Sequence, residues 1–151
     1  LLITSLQIFI QCREKLICPI NDDMNSIYPL IRQSDVITIS APLYFSSVPS
    51  QLKALIDRCQ VFWEEKNRSP ERALTGKQGV LICTAGADYN NMFSGVRQVI
   101  RHFFNTLNVD FNENEAILVP GLDSPNSGKI TLEIIDNAVR LSERIITGLN
   151  R

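Results

Sequence analysis

The residues of this 151-residue chain best able to do chemistry fall into a few short groups. The segment Ala41-Pro42-Leu43-Tyr44-Phe45-Ser46-Ser47-Val48-Pro49 sets two aromatic rings and two hydroxyls between prolines that stiffen it at both ends. Such a loop can present flat apolar surface and hydroxyls to a planar ligand; the plainer reading is a proline-bounded loop with a serine cap and two core aromatics. Thiols sit at Cys12, Cys18, Cys59 and Cys83. No secretory n-region, h-region and cleavage site is recognisable, so reduced thiols and a cytoplasmic location are the simplest expectation. Cys59 on a helical apolar stripe and Cys83 within a strand read as small core hydrophobes. The stretch GLDSPNSGKI ends in Gly-Lys, as a phosphate-binding loop would. However, six rather than four residues separate Gly121 from Gly128, and Ile130 replaces the magnesium-binding hydroxyl, so it reads as a turn. His102, the only histidine, falls beside the apolar stripe of its helix and is expected at a surface or interface. Glu64 to Gly76, EEKNRSPERALTG, reads as a solvated charged loop.

These residues must be positioned by elements that the apolar pattern reveals. Four nearly continuous, β-branched-rich runs look like buried strands: Leu1 to Thr4 or Gln7 to Ile10, then Val36 to Ser40, Val80 to Thr84, and Ala116 to Val119. Continuity rather than alternation is expected of parallel strands covered on both faces. Helical spacing links Met24, Ile27, Tyr28 and Ile31, with Pro29 predicting a kink or a start near Ser26. It recurs in Leu52, Leu55, Ile56, Cys59, Phe62 and Trp63, in Val96, Val99, Ile100, Phe103 and Leu107, and finally from Ile135 to Leu149. Strand and helix therefore alternate, which predicts an α/β domain with an open, doubly wound parallel sheet in three α/β/α layers. Ligands bind such sheets outside the carboxyl ends of the strands. The loop leaving Ser40 lies at such an end, and so does Cys83-Thr84-Ala85-Gly86.

Bulk properties narrow the function. A formal charge of −1 gives no excess positive charge to attract nucleic acid or anionic lipid, and no apolar run approaches the roughly 20 residues of a membrane-spanning helix. With 44% hydrophobic residues, the chain can bury the core of a single domain spanning residues 1–151, and its partners are expected to be small molecules or proteins.

The stretch DDMNSIYPLIRQSDVITISAPLYFSSVPSQLKALIDR, Asp22 to Arg58, resembles the NAD(P)H-dependent FMN reductases of the flavodoxin-like fold, a family that includes iron–sulfur flavoproteins. The shared features are an Asp-Asp-Met helix start, a strand entering a P-x-Y-F-x-S-V-P loop, and a Q-L-K-A-x-I-D-R helix; weaker similarity runs on to the C-terminus. The resemblance implies that Pro42, Leu43, Tyr44, Phe45 and Ser46 border the isoalloxazine ring of FMN, with Thr84, Ala85 and Gly86 as the second flavin loop, where Gly86 allows close backbone approach. It also implies hydride transfer from NAD(P)H, as co-substrate, through flavin N5 to a small-molecule electron acceptor such as a quinone, a nitro compound or free flavin. The flavin carries the chemistry, so no catalytic acid or base is named. A homodimer is implied as well, and the charged stretch Glu64 to Gly76 corresponds to a family region near the dimer contact that can overhang the flavin.

Two departures qualify the resemblance. Family members open with a strand, a loop rich in Gly, Ser and Thr that holds the FMN phosphate, and a helix. Here Thr4-Ser5 is the only hydroxyl pair before Asp22, and Leu1 is not an initiator methionine, so the first βα unit is expected to be missing or altered. Iron–sulfur members also carry C-x2-C-x2-C-x5-C ahead of the Asp-Asp-Met helix. This chain keeps only Cys12 and Cys18, with Phe9 and Leu6 in the other two positions. Two thiolates do not hold a four-cysteine cluster, so no iron–sulfur cluster or other metal is expected. The reading from a different class is a flavodoxin-like domain without cofactor, acting as a structural or protein-interaction module.

Overall fold

The computed structural model describes residues 3, 12, 14–123 and 130–149. In chain order the elements are α1 (Met24–Gln33), β1 (Val36–Pro42), α2 (Ser50–Arg58), α3 (Gln60–Arg68), β2 (Lys77–Thr84), α4 (Ser94–Thr106), β3 (Val109–Asp110), β4 (Ile117–Val119) and α5 (Leu132–Leu149). Every strand pairing is parallel, and β2 is the hub. β1 runs along one side of β2 in register from Val36 opposite Gln78 to Pro42 opposite Thr84. On the other side β3 pairs with the start of β2 and β4 with its end, Ile82 opposite Ile117. The third predicted strand thus starts at Lys77 rather than Val80, and the fourth is preceded by a two-residue strand that its sequence did not announce. Apart from Ile3, the first predicted strand lies outside the described residues, as do the turn residues 124–129.

Burial on both faces explains the continuous apolar character of β2. One face packs Leu81 and Cys83 against Met24, Cys59, Phe62, Val96, Ile100 and Phe104, all nearly inaccessible. Cys59 and Cys83 are core residues, and His102 is exposed, as the pattern predicted. The opposite face is thinner, with Val80, Leu141 and Ile145 at its centre.

Three expectations need correction. The helix predicted from Leu52 to Trp63 is two, broken at Cys59, and Trp63 is 44% exposed. The stretch Glu64 to Gly76 is not a solvated loop: α3 runs to Arg68 with Glu64 and Glu65 buried, and a 3₁₀ turn follows at Pro70–Arg72. Glu65 tolerates burial because Arg32 and Arg72 reach it at 2.7 and 3.2 Å. Finally, the apolar face of α5 is only partly covered. Leu141 and Ile145 are buried, but Ile135, Val139 and Ile146 are 46–59% exposed. β4, three residues long, is too narrow a platform for an eighteen-residue helix. A groove of about 680 Å³ is left between them, lined by Ile82, Ile117, Val119, Ile134, Ala138 and Val139.

Candidate functional site

At the carboxyl ends of β1 and β2 the chain makes the loop singled out from its composition. The backbone closes on itself there: Tyr44 N–H donates to Ser47 O at 3.0 Å, and Ser47 N–H donates to Tyr44 O at 2.9 Å. The two residues between them, Phe45 and Ser46, have φ of 48° and 60°. Such a tight turn ordinarily selects Asn-Gly or Gly-Gly, because left-handed backbone crowds a Cβ and costs roughly 1–2 kcal/mol per L-residue. A phenylalanine placed there, with its ring fully exposed, buries nothing that offsets the cost. Strain of this kind collects at binding sites.

Hydrogen bonds hold the turn to the neighbouring strand ends. Leu43 N–H donates to Thr84 O at 2.7 Å, which carries the β1–β2 ladder one residue past the strand. Ala85 N–H then donates to Val119 O at 2.8 Å, and Leu122 N–H returns to Ala85 O at 3.0 Å. The two loops predicted to hold one ligand are therefore physically joined, with β4 as the third member. Pro42, Tyr44, Phe45 and Ser46 are exposed, Leu43, Thr84 and Gly86 half-buried, and Ala85 buried as packing beneath them.

Two glycines shape this rim. A Cβ on Gly95, near the start of α4, would lie 2.2 Å from the carbonyl oxygen of Ser46, so the turn rests directly on helix backbone. Gly95 escaped the sequence reading, since nothing in the chain's linear order pairs it with Ser46. At Gly86 an added Cβ would overlap the Asp123 carboxylate, and the Asp123 backbone N–H donates to Gly86 O at 3.1 Å. The space that this glycine opens is thus filled by Asp123, which nothing in the linear order pairs with Gly86.

The arrangement suits the ring portion of FMN. It offers flat apolar surface at Tyr44 and Phe45, a backbone edge fixed by the strand ladder, and a close-packed floor at Thr84 to Gly86. A phosphate needs a run of backbone N–H groups at a helix start, and the described residues contain no Gly-, Ser- and Thr-rich loop ahead of α1. They also contain no group of three or more His, Cys, Asp or Glu side chains placed to hold a metal ion.

Comparison with known proteins places these observations. Residues 3–115 match the family model described as NADPH-dependent FMN reductase. An iron–sulfur flavoprotein of Methanosarcina thermophila is 41% identical over 76 residues, 50% of this chain and 37% of that protein. FMN-dependent NADH:quinone oxidoreductase 3 of Pseudomonas fluorescens is 39% identical over 66 residues, 42% of this chain and 32% of that protein. Each match therefore spans well under half of the relative's length. Among solved structures, an azoreductase from Bacillus anthracis superposes with a TM-score of 0.53 at 14% identity, covering 99% of this chain and 77% of that one.

Proposed function

The chain belongs to the NADPH-dependent FMN reductase family and has its flavodoxin-like fold, and from that premise we propose that it serves an FMN-dependent NAD(P)H oxidoreductase acting on a small electron acceptor. The observation carrying this reading is the strained Phe45–Ser46 turn, tied through Leu43 to Thr84 at the carboxyl end of the sheet. FMN, when bound, supplies the two-electron chemistry between the nicotinamide and the acceptor.

In this reading Pro42 to Ser46 border the flavin ring, with Tyr44 and Phe45 giving it apolar surface, and Thr84, Ala85 and Gly86 form the opposite margin. The ladder bond from Leu43 to Thr84 keeps these margins at a fixed separation, so the site is organised before the ligand arrives. The exposed side of Phe45 is where a second reactant or a second copy of the chain would approach. We infer a homodimer working in the cytoplasm, and we leave the acceptor as a quinone, an azo or nitro compound, or free flavin.

Steady-state oxidation of NADH and NADPH, followed at the nicotinamide absorbance with added FMN and a quinone, tests the reading. Turnover that falls on replacing Phe45 or Tyr44 supports it. Nicotinamide oxidation at the rate of free FMN alone, with or without the protein, would overturn it.

A further inference from the structure

The helix α5 carries more apolar surface than the sheet beneath it covers. Its inner row, Ile134, Ala138, Leu141 and Ile145, turns towards β2 and β4, where Leu141 and Ile145 pack with Val80. Beside that row runs a second stripe, Leu132, Ile135, Val139, Ser142, Ile146 and Leu149, in which every member is exposed, Leu132 to 79% and Ile146 to 59%. Among the described residues, seven of the thirteen exposed large apolar side chains lie on this helix or on its approach at Leu122 and Ile130. Single exposed apolar residues are ordinary, whereas a contiguous patch along one helix marks a surface that something covers.

The spacing of the stripe says what kind of partner fits. Its members are separated by three, four, three, four and three residues, the period at which two helices pack side by side along a straight seam. The order of side chains, Leu, Ile, Val, Ser, Ile, Leu, is nearly the same from either end. A second α5 laid antiparallel, about a two-fold axis level with Arg140 and Leu141, therefore brings Leu132 against Leu149, Ile135 against Ile146 and Val139 against Ser142. The Ser142 hydroxyl donates to Val139 O at 2.7 Å within its own helix, so it enters such a seam without leaving a donor unpaired. Glu133, Asp136, Arg140 and Glu143 border the stripe on its solvent side and supply the polar rim of an interface.

We propose that α5 is a self-association surface, on which two copies of the chain pair antiparallel along Leu132 to Leu149. The inference rests on the preceding reading for the presence of two copies and gives that homodimer its surface. A helix of 18 residues is about 27 Å long and about 10–12 Å across, so a stripe occupying about a third of its circumference buries on the order of 400 Å² per copy. The second copy also closes over the groove of about 680 Å³ beside α5, whose walls include Ile135, Val139 and Ser142 of the stripe. Together these bring the total to roughly 1,000 Å², the lower end of specific interfaces and the size of a micromolar dimer. Asp136 of one copy falls near Glu143 of the other, a like-charge contact that also keeps the pairing moderate. The seam uses none of Pro42 to Ser46, so Phe45 stays open to a reactant.

Sedimentation equilibrium of the full chain without FMN, from low micromolar to several hundred micromolar, should show monomer giving way to a species of twice its mass. Ile146→Glu puts a carboxylate into the seam twice over and should weaken pairing at least about a hundredfold, with the circular dichroism spectrum unchanged because the side chain is already exposed. Leu30→Glu, as exposed but on α1, should leave pairing intact. Leu132→Cys mixed with Leu149→Cys should form an interchain disulfide under copper phenanthroline that neither variant forms alone, since like positions lie about 25 Å apart in an antiparallel pair. The four native thiols are buried, and the unmutated chain reads their background. A chain that stays monomeric throughout, a dimer that Ile146→Glu leaves untouched, or Leu132→Cys joined to itself would each overturn the proposal. No flavin or nicotinamide enters these measurements, so failure here is separable from failure of the oxidoreductase reading, which its own turnover assay decides.

Discussion

Replacing Gly95 by alanine interrogates the flavin loop from behind, without touching any residue that faces the ligand. The added Cβ would stand 2.2 Å from Ser46 O, whereas carbon and carbonyl oxygen normally rest about 3.3–3.6 Å apart. Something must give by about 1 Å. α4 is anchored by Val96 and Ile100, both fully buried, whereas the Ser46 turn is exposed and closed by two hydrogen bonds. The turn should therefore move. Overpacking of this kind costs about 1–3 kcal/mol, against which alanine's helix preference over glycine returns up to about 1 kcal/mol. From the middle of that cost the net loss is about 1–2 kcal/mol, which for a domain of this size lowers Tm by roughly 2–8 °C. Displacing the turn should also weaken FMN binding at least about tenfold, or about 1.4 kcal/mol. Thermal unfolding by circular dichroism and FMN fluorescence titration read the two effects. Gly148→Ala is the control, because nothing lies within 4 Å of its would-be Cβ, and it should leave FMN binding alone and stabilise slightly. Unchanged Tm and unchanged FMN affinity in Gly95→Ala would refute the claim that the turn rests on helix backbone.

Further predictions follow from the same interactions. Phe45→Gly should stabilise the fold by about 0.5–1 kcal/mol by relieving left-handed strain at a side chain that buries nothing, while weakening FMN binding; a fall in Tm would show that the Phe45 ring packs after all. Asp22→Ala should cost about 3–5 kcal/mol, because it strips the carboxylate from the fully buried Arg58 guanidinium, and urea unfolding should find the double variant Asp22→Leu, Arg58→Met much closer to the parent. Stability should fall as pH rises above 9. Burial pushes Cys83 up to about 11 and raises Cys59 as well, so the unfolded chain loses these protons first and stability drops by up to about 1.4 kcal/mol per pH unit for each thiol. Urea midpoints at pH 8, 9 and 10 check the slope, Cys83→Ala should reduce it, and a flat profile would show that these thiols ionise alike in both states.

What the sequence made legible follows from how local each signal is. β2 announced itself because both its faces are covered, leaving an unbroken apolar run, and β1 through Val36, Ile37 and Ile39, although Thr38 and Ser40 between and after them are exposed. β3 could not, since a two-residue strand is defined only by its partner, Lys77 opposite Val109. The helix through Glu64 and Glu65 looked like loop because Arg32, whose guanidinium pairs with the buried Glu65, lies 33 residues away. The apolar stripe of α5 was readable, but not how little sheet lies beneath it. At the candidate site the loop residues stood out by composition and resemblance, while Gly95 and Asp123 matter only through what they meet in space. The Cys12–Cys18 pair was visible as a spacing; the buried Arg58–Asp22 ion pair, whose members lie 36 residues apart, was not.

The most direct test of the account is a titration of the purified chain with FMN, following flavin fluorescence, with Phe45→Gly titrated alongside. The account predicts quenching that saturates at one FMN per chain and a markedly weaker curve for the variant. Saturable binding that Phe45→Gly leaves untouched would place the flavin elsewhere. No binding to this chain would contradict the flavoprotein reading itself.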